Sequence, residues 1–314
     1  MTGAAAPTAG DTGSAALSRL QLLVNRRLDG LLQGDYLGLL PGPGSEAGES
    51  REYRTGDDVR RMDWPVTART TVPHVRLTVA DRELETWLAL DLSGSLDFGT
   101  ARLLKRDLVL AATAAMTHLT VRGGNRVGAV IATRAGDLVR RPALPGRREA
   151  QGLLRTVARL IEAESGEWAG GAPDSLAGLI DALNAPPRRR GLAVVVSDFL
   201  DPPERWGWPL RKLAVRHEVL AVEVLDPYEL ELPDAGVLEL VDPETGARHE
   251  VQTGDARLRE RYRAAAAAQR ERVAAAIRAA GARQLRLRTD SDWLLDLVRF
   301  VAAQRHRRAG GGSR

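Results

Sequence analysis

The chain has 314 residues, 44% of them hydrophobic and 27% charged, enough apolar material for at least one full core. It contains no cysteine, which excludes disulfides, thiol catalysis and cysteine-ligated metal sites. The formal charge of +4 is matched by Arg305, Arg307, Arg308 and Arg314 in an acid-free carboxyl end, and aromatics make up only 4%, so a basic stacking groove for nucleic acid is not expected.

Residues 1–16 are small and polar and predict a disordered segment. The start lacks a positive region followed by an apolar one, so it does not read as a signal peptide, and no apolar run approaches the length of a membrane span. The expectation is a cytoplasmic protein. Leu17, Leu20, Leu23, Val24, Leu28, Leu31 and Leu32 recur at helical spacing and predict one amphipathic helix over 17–32. Pro41-Gly42-Pro43-Gly44 breaks the chain, and 51–69 is densely charged around Tyr53, Met62 and Trp64. Two readings of that stretch stand side by side. It is either an ion-paired strap, in which Asp57, Asp58 and Asp63 neutralise nearby arginines, or a contact surface anchored by Arg60, Arg61 and Trp64, residue types enriched at binding hot spots.

From residue 86 onward strands and helices alternate, the pattern of a mostly parallel sheet covered by helices. Strands are expected over 86–92, 126–133, 191–197, 217–225 and 284–288, and helices over 100–121, 147–162, 175–183, within 203–215, 256–280 and 291–305. Two antiparallel hairpins interrupt the alternation, one folding 137–141 back on the preceding strand, the other within 236–251 around Asp242-Pro243-Glu244-Thr245-Gly246. The expected organisation is an amino-terminal helix and charged segment over 17–85, an α/β domain over 86–305 and a disordered basic tail over 306–314.

The best clue to chemistry is Asp91-Leu92-Ser93-Gly94-Ser95, a D-x-S-x-S sequence after the apolar run Trp87-Leu88-Ala89-Leu90. A carboxylate and two hydroxyls at alternate positions of one loop can aim oxygens at a common point, which suits a hard cation such as Mg²⁺. The plain alternative is that Ser93 or Ser95 caps the following helix and Asp91 merely ends a strand. A second acidic loop, Ser197-Asp198, follows Leu192 to Val196, and the two would face one crevice if their strands are neighbours. The chain has no P-loop signature and no G-x-S-x-G elbow, and its five histidines form no ligand pair at helical spacing.

The ordered series Arg51-Glu52-Tyr53-Arg54-Thr55-Gly56-Asp57-Asp58-Val59-Arg60-Arg61-Met62-Asp63-Trp64, Ala68-Arg69, Asp81-Arg82-Glu83 and Asp91-Leu92-Ser93-Gly94-Ser95 resembles the domain-of-unknown-function 58 family. Ser197-Asp198, His217-Glu218-Val219, Leu225-Asp226-Pro227, Glu231-Leu232-Pro233 and Asp242-Pro243-Glu244-Thr245-Gly246 extend the resemblance through the carboxyl half. It implies a Rossmann-like von Willebrand factor A-type fold, an open, mostly parallel sheet with helices on both faces. It also implies a metal-ion-dependent adhesion site binding Mg²⁺ or Mn²⁺ through Asp91, Ser93 and Ser95 in a first loop and Asp198 in a third. The second loop of such sites supplies a threonine, where this chain has Asp174 or Ser175. The implied activity is non-catalytic, metal-dependent protein binding, with a MoxR-type AAA+ ATPase as partner. The competing expectations are a Mg²⁺-dependent hydrolase of phosphorylated substrates, using Asp91 and Asp198 to hold the ion, and a structural module with a degenerate site.

Overall fold

The computed structural model describes residues 9–32, 50–54, 59, 62–76, 84–163, 176–184, 191–241 and 247–311. In chain order the elements are α1 (Ala9–Leu32), β1 (Ser50–Glu52), α2 (Trp64–Thr70), β2 (His74–Arg76), β3 (Glu85–Asp91), α3 (Lys105–Arg122), β4 (Arg126–Ala132) and β5 (Leu138–Leu144). They continue with α4 (Arg147–Ala163), α5 (Leu176–Asn184), β6 (Gly191–Ser197), α6 (Pro203–Arg216), β7 (Glu218–Leu225), β8 (Val237–Val241), β9 (Arg248–Gln252), α7 (Ala256–Ala279), β10 (Arg283–Arg288) and α8 (Trp293–Gly311).

The near-continuous apolar runs in β3, β4, β6 and β7 are those of strands covered on both faces. They join a six-stranded sheet of order β10-β7-β6-β3-β4-β5, in which only the β4 to β5 pairing is antiparallel. Side chains alternate across it. Leu88, Leu90, Val194 and Val196 face one layer with residues of α1, α3, α4 and α8, while Trp87, Ala89, Ala193 and Val195 face the other with residues of α5, α6 and α7. The protein is thus a mixed α/β structure with a mostly parallel central sheet between helical layers.

Helix α1 belongs to this same core, with Leu17, Val24 and Leu28 buried in the layer containing α3 and α8. Each such side chain contributes about 1.5–3 kcal/mol, against roughly 0–1 kcal/mol for the exposed Arg27 to Asp292 ion pair beside it. Burial of the apolar stripe therefore docks the helix. Contrary to a disordered segment over 1–16, helix already runs from Ala9, and α8 continues to Gly311 where a disordered tail was expected. Once a helix is anchored, each further residue adds a hydrogen bond without a new nucleation cost, so both helices extend past their anchors. No helix among the described residues is long and apolar enough to cross a membrane.

The charged segment carries structure of its own. Strands β1 and β2 pair antiparallel, Met62 bridges to Val75, and the buried Asp63 caps α2 by accepting the Val66 N–H. Trp64 opens that helix and is 67% exposed. Arg60, Arg61, Asp57 and Asp58 lie outside the described residues, as does the turn at 242–246.

One helix boundary moved for a clear reason. Helix α3 begins at Lys105 rather than Thr100, because both the backbone N–H and the hydroxyl of Thr100 donate to Asp226 beyond β7, at 2.8 and 2.6 Å. That tie holds residues 99–104 out of helical geometry and leaves Lys105 as the first helical residue.

Sheet order also locates a crevice. From β3 the chain moves to β4 and β5 on one side, then crosses back to β6, β7 and β10 on the other. The connections diverge between β3 and β6, the switch point outside which ligands gather in open α/β sheets. The two strands pair in parallel from Glu85 opposite Gly191 to Leu90 opposite Val196, so Asp91 and Ser197 emerge side by side. At the other end of this pairing a Cβ on Gly191 would stand 2.0 Å from the Glu85 carbonyl oxygen. Gly191→Ala should therefore lower stability by about 1–3 kcal/mol, the range for overpacking a tight interior. A urea midpoint equal to that of the wild type would show that the two strands can part there without cost.

Candidate functional site at the carboxyl ends of β3 and β6

Asp91 ends β3 with its carboxylate buried and satisfied from two loops. One oxygen accepts the Ser93 N–H at 2.9 Å and the other accepts the Ser197 hydroxyl at 2.7 Å. Ser197 Oγ in turn accepts the Phe199 N–H at 3.1 Å. After Leu92 the chain turns through a short 3₁₀ segment, Gly94–Asp97, which brings Ser93 Oγ within 3.2 Å of Ser95 Oγ. The three oxygen-bearing side chains of the D-x-S-x-S sequence do converge.

Asp198 stands beside them, aimed by a strained turn. Phe199 has a φ of 53°, in the left-handed region that costs a bulky residue roughly 1–2 kcal/mol. Its ring is fully buried and meets Trp206 edge-on with centroids 5.2 Å apart, which offsets the strain. The Asp198 carboxylate accepts the Leu200 N–H on one oxygen, at 3.3 Å, and the Lys105 ammonium on the other, at 2.8 Å. Its backbone carbonyl accepts from Arg270 of α7 at 3.0 Å, and the same Arg270 nitrogen bonds the fully buried Glu223 at 3.0 Å.

Lys105 is the residue that sequence reasoning missed. Its side chain is fully buried at the first position of α3, and its Nζ donates to Glu229 at 2.6 Å as well as to Asp198. Glu229 ends the 3₁₀ turn Pro227–Glu229 after β7 and also accepts the Asp226 N–H at 3.0 Å. A signal did exist, since Lys105 and Lys212 are the only lysines among 45 basic residues. A compact point charge, rather than a planar guanidinium, suits a closed space between two carboxylates.

The electrostatics divide the two aspartates. Burial and then the nearby charge of Asp198 push the Asp91 carboxyl above its ordinary range, despite the hydrogen bonds from Ser93 and Ser197. Burial also works against Asp198, but the Lys105 charge and the hydrogen bonds from Lys105 and Ser95 outweigh it and hold that carboxyl below its ordinary range. Glu229 is raised by burial in spite of Lys105. Lys105 itself is lowered by burial but raised more by its two acids, and its net displacement is upward.

A divalent ion can be tested against this geometry. Neighbouring ligands around octahedral Mg²⁺ stand about 3 Å apart when each bond is about 2.1 Å, so hydroxyls at 3.2 Å have suitable spacing. Three carboxylates against one ammonium leave a formal charge of −2 when all are ionised, which a divalent cation would balance. Among the described residues, however, no three acidic or imidazole side chains form a cage of their own. Ser93, Ser95 and Asp91 are therefore the side chains that would be left to hold a largely hydrated ion directly. Asp174 and Ser175 lie outside the described residues. Just after them, the Leu176 N–H is accepted by Asp201, from the loop after Asp198, at 3.0 Å.

A mostly parallel α/β sheet whose switch point carries carboxylates and serine hydroxyls defines the structural class. Comparison with known proteins then places the chain in a family. The family model described as "Protein of unknown function DUF58" matches residues 49–272, and the chain belongs to that family. Uncharacterized protein Rv1480 of Mycobacterium tuberculosis is 57% identical over 292 residues, covering 93% of this chain and 90% of its own length. Uncharacterized protein MAV169 of Mycobacterium avium is 51% identical over 168 residues, which are 54% of this chain and 95% of that protein. Among solved structures, an aerotolerance-related membrane protein from Bacteroides fragilis aligns with a TM-score of 0.44 at 13% identity, covering 71% of this chain and 99% of that one. BatB from Bacteroides thetaiotaomicron gives 0.40 at 12%, covering 73% and 100%.

Removing one partner from a buried ion pair costs about 3–5 kcal/mol, so Lys105→Met should destabilise by that order, with Glu229→Gln in the same chain restoring part of it. Lys105 is raised on folding, so its contribution is full below its unfolded value, about 10.4, and is lost as pH rises through the folded one. Asp198 is lowered, so its contribution is full above about 3.9 and is lost as pH falls through its folded value. Denaturant unfolding at pH 7 should show the whole loss, and a change below about 1 kcal/mol would contradict the pairing.

Proposed function

We propose that this chain is a non-catalytic protein-interaction module of the von Willebrand factor A type, acting in the cytoplasm. In this reading the crevice between β3 and β6 meets an acidic side chain of a partner through Mg²⁺ or Mn²⁺, and the partner is a MoxR-type AAA+ ATPase. The observation that carries it is the approach of Ser93 Oγ and Ser95 Oγ to 3.2 Å beside Asp91 and Asp198 at the topological switch point. Mg²⁺ retains waters readily, so an ion held by a few side chains keeps positions open for a ligand from elsewhere.

The titratable groups in the crevice favour binding over turnover. A general base must reach the proton it abstracts. Here Asp91 is held by Ser93 and Ser197, Asp198 by Lys105 and Leu200, and Glu229 by Lys105 and Asp226. The choice of partner rests on what resemblance to the family implies. The exposed indole of Trp64 on α2, within the segment the family model covers, offers an anchor of a type common at binding hot spots.

The test is affinity purification from native lysate with wild type and Asp91→Ala, each in Mg²⁺ or in EDTA, read by mass spectrometry. A AAA+ ATPase should accompany the wild type in Mg²⁺ and fall at least tenfold with EDTA or with Asp91→Ala, while circular dichroism stays native. Recovery that depends on neither the ion nor Asp91 would remove the metal-mediated reading. Phosphoester turnover that vanishes with Asp198→Ala would replace it with a hydrolase.

A further inference from the structure

The Lys105 ammonium has no exposure and lies between Asp198 and Glu229 at 2.8 and 2.6 Å, with the Phe98 ring centroid 5.8 Å away. Both carboxylates that it holds come from loops at the carboxyl ends of neighbouring strands, β6 and β7. The Asp198 oxygen that accepts Lys105 could bond Mg²⁺ directly only by bringing ammonium and ion to about 4 Å, where like charges in a protein interior repel strongly. The other oxygen accepts the Leu200 N–H, and the charge of the whole carboxylate is already balanced by the ammonium in contact with it. Lysine at this position thus competes for the same acid that a divalent ion would take.

We propose that Lys105 is the built-in cation of this crevice: it occupies Asp198 and Glu229, confines direct ligation of a divalent ion to Asp91, Ser93 and Ser95, and so keeps ion binding weak and reversible. The inference rests on the reading of the crevice as a divalent-ion site and adds the residue that sets its affinity. At Asp198 an ammonium thus takes the place that a divalent ion would take if this third-loop carboxylate were an inner ligand. Loss of the lysine frees two acids for the ion, so binding should tighten when Lys105 is removed. If Lys105 only supported the fold, its removal would leave binding unchanged or weaker.

The first measurement uses the unaltered protein. Lys212, with its side chain 57% exposed, is the other lysine in the chain and serves as an internal reference. Acetylation by an N-hydroxysuccinimide ester, followed by mass spectrometry, should modify Lys105 at least tenfold more slowly than Lys212. Equal rates in the native protein would overturn the proposal. The second measurement is Mn²⁺ binding followed by electron paramagnetic resonance in wild type, Lys105→Met and Lys105→Met with Glu229→Gln. The last of these removes a stranded charge and serves if the single variant does not fold. Affinity should rise at least tenfold on losing Lys105 and disappear with Asp91→Ala in either background. Ion binding that needs Asp91 but is unchanged or weakened by Lys105→Met would defeat this inference alone. Binding indifferent to Asp91→Ala would defeat the divalent-ion reading and the inference together.

Discussion

Lys105 Nζ is fully enclosed and joins the start of α3 to Asp198 after β6 and to Glu229 after β7, so one ammonium ties three segments at the carboxyl edge of the sheet. Taking these charges out of water is costly, and the attraction outweighs burial for Lys105 and Asp198 but not for Glu229. The pairing also fixes position. With Lys105 held, Asp198 cannot swing away from the β3 loop, and the Pro227–Glu229 turn stays closed over the first turn of α3. Asp226 reinforces this by bonding the backbone and hydroxyl of Thr100 on one side and the Thr289 hydroxyl on the other.

The same arrangement separates two aspartates of identical intrinsic acidity. Asp91 has only hydrogen-bond donors for support and feels the charge of Asp198, whereas Asp198 has a cation in contact. Two carboxyls driven in opposite directions by their surroundings carry different roles, the one more open to a new positive charge being the one without a cation of its own. The strained backbone at Phe199 belongs to this account, since burial of its ring against Trp206 sustains the turn that points Asp198 into the crevice.

Behind the crevice a second buried network supports it. Glu223 in the middle of β7 accepts from Arg270 of α7 and from Gln284 and Arg286 of β10, so an acid inside the sheet layer is met by three donors. Arg270 reaches past Glu223 to the Asp198 carbonyl and links α7 to the site. The alanine-rich helix that covers the sheet therefore also fixes the backbone of the acidic loop, through the buried Arg270.

The strands of the central sheet, most of its helices and both hairpins were legible in the sequence, because hydrophobic period and turn residues are local signals that the core rewards directly. Asp91, Ser93, Ser95 and Asp198 were legible too, since strand-end motifs mark the edge where parallel sheets expose polar groups. Lys105 and Glu229 were not. They stand 124 positions apart in the chain, and neither sits in a local pattern that distinguishes it from a surface charge. Only the strand order, which sets β7 beside β6 and β6 beside β3, brings their side chains to the D-x-S-x-S loop. Likewise, the start of α3 was decided by the long-range bonds from Thr100 to Asp226, not by helix propensity. Local sequence determined which segments become strands and helices and which loops carry carboxylates and hydroxyls. Tertiary structure alone decided which charges share a low-dielectric space, because that depends on which strand ends become neighbours.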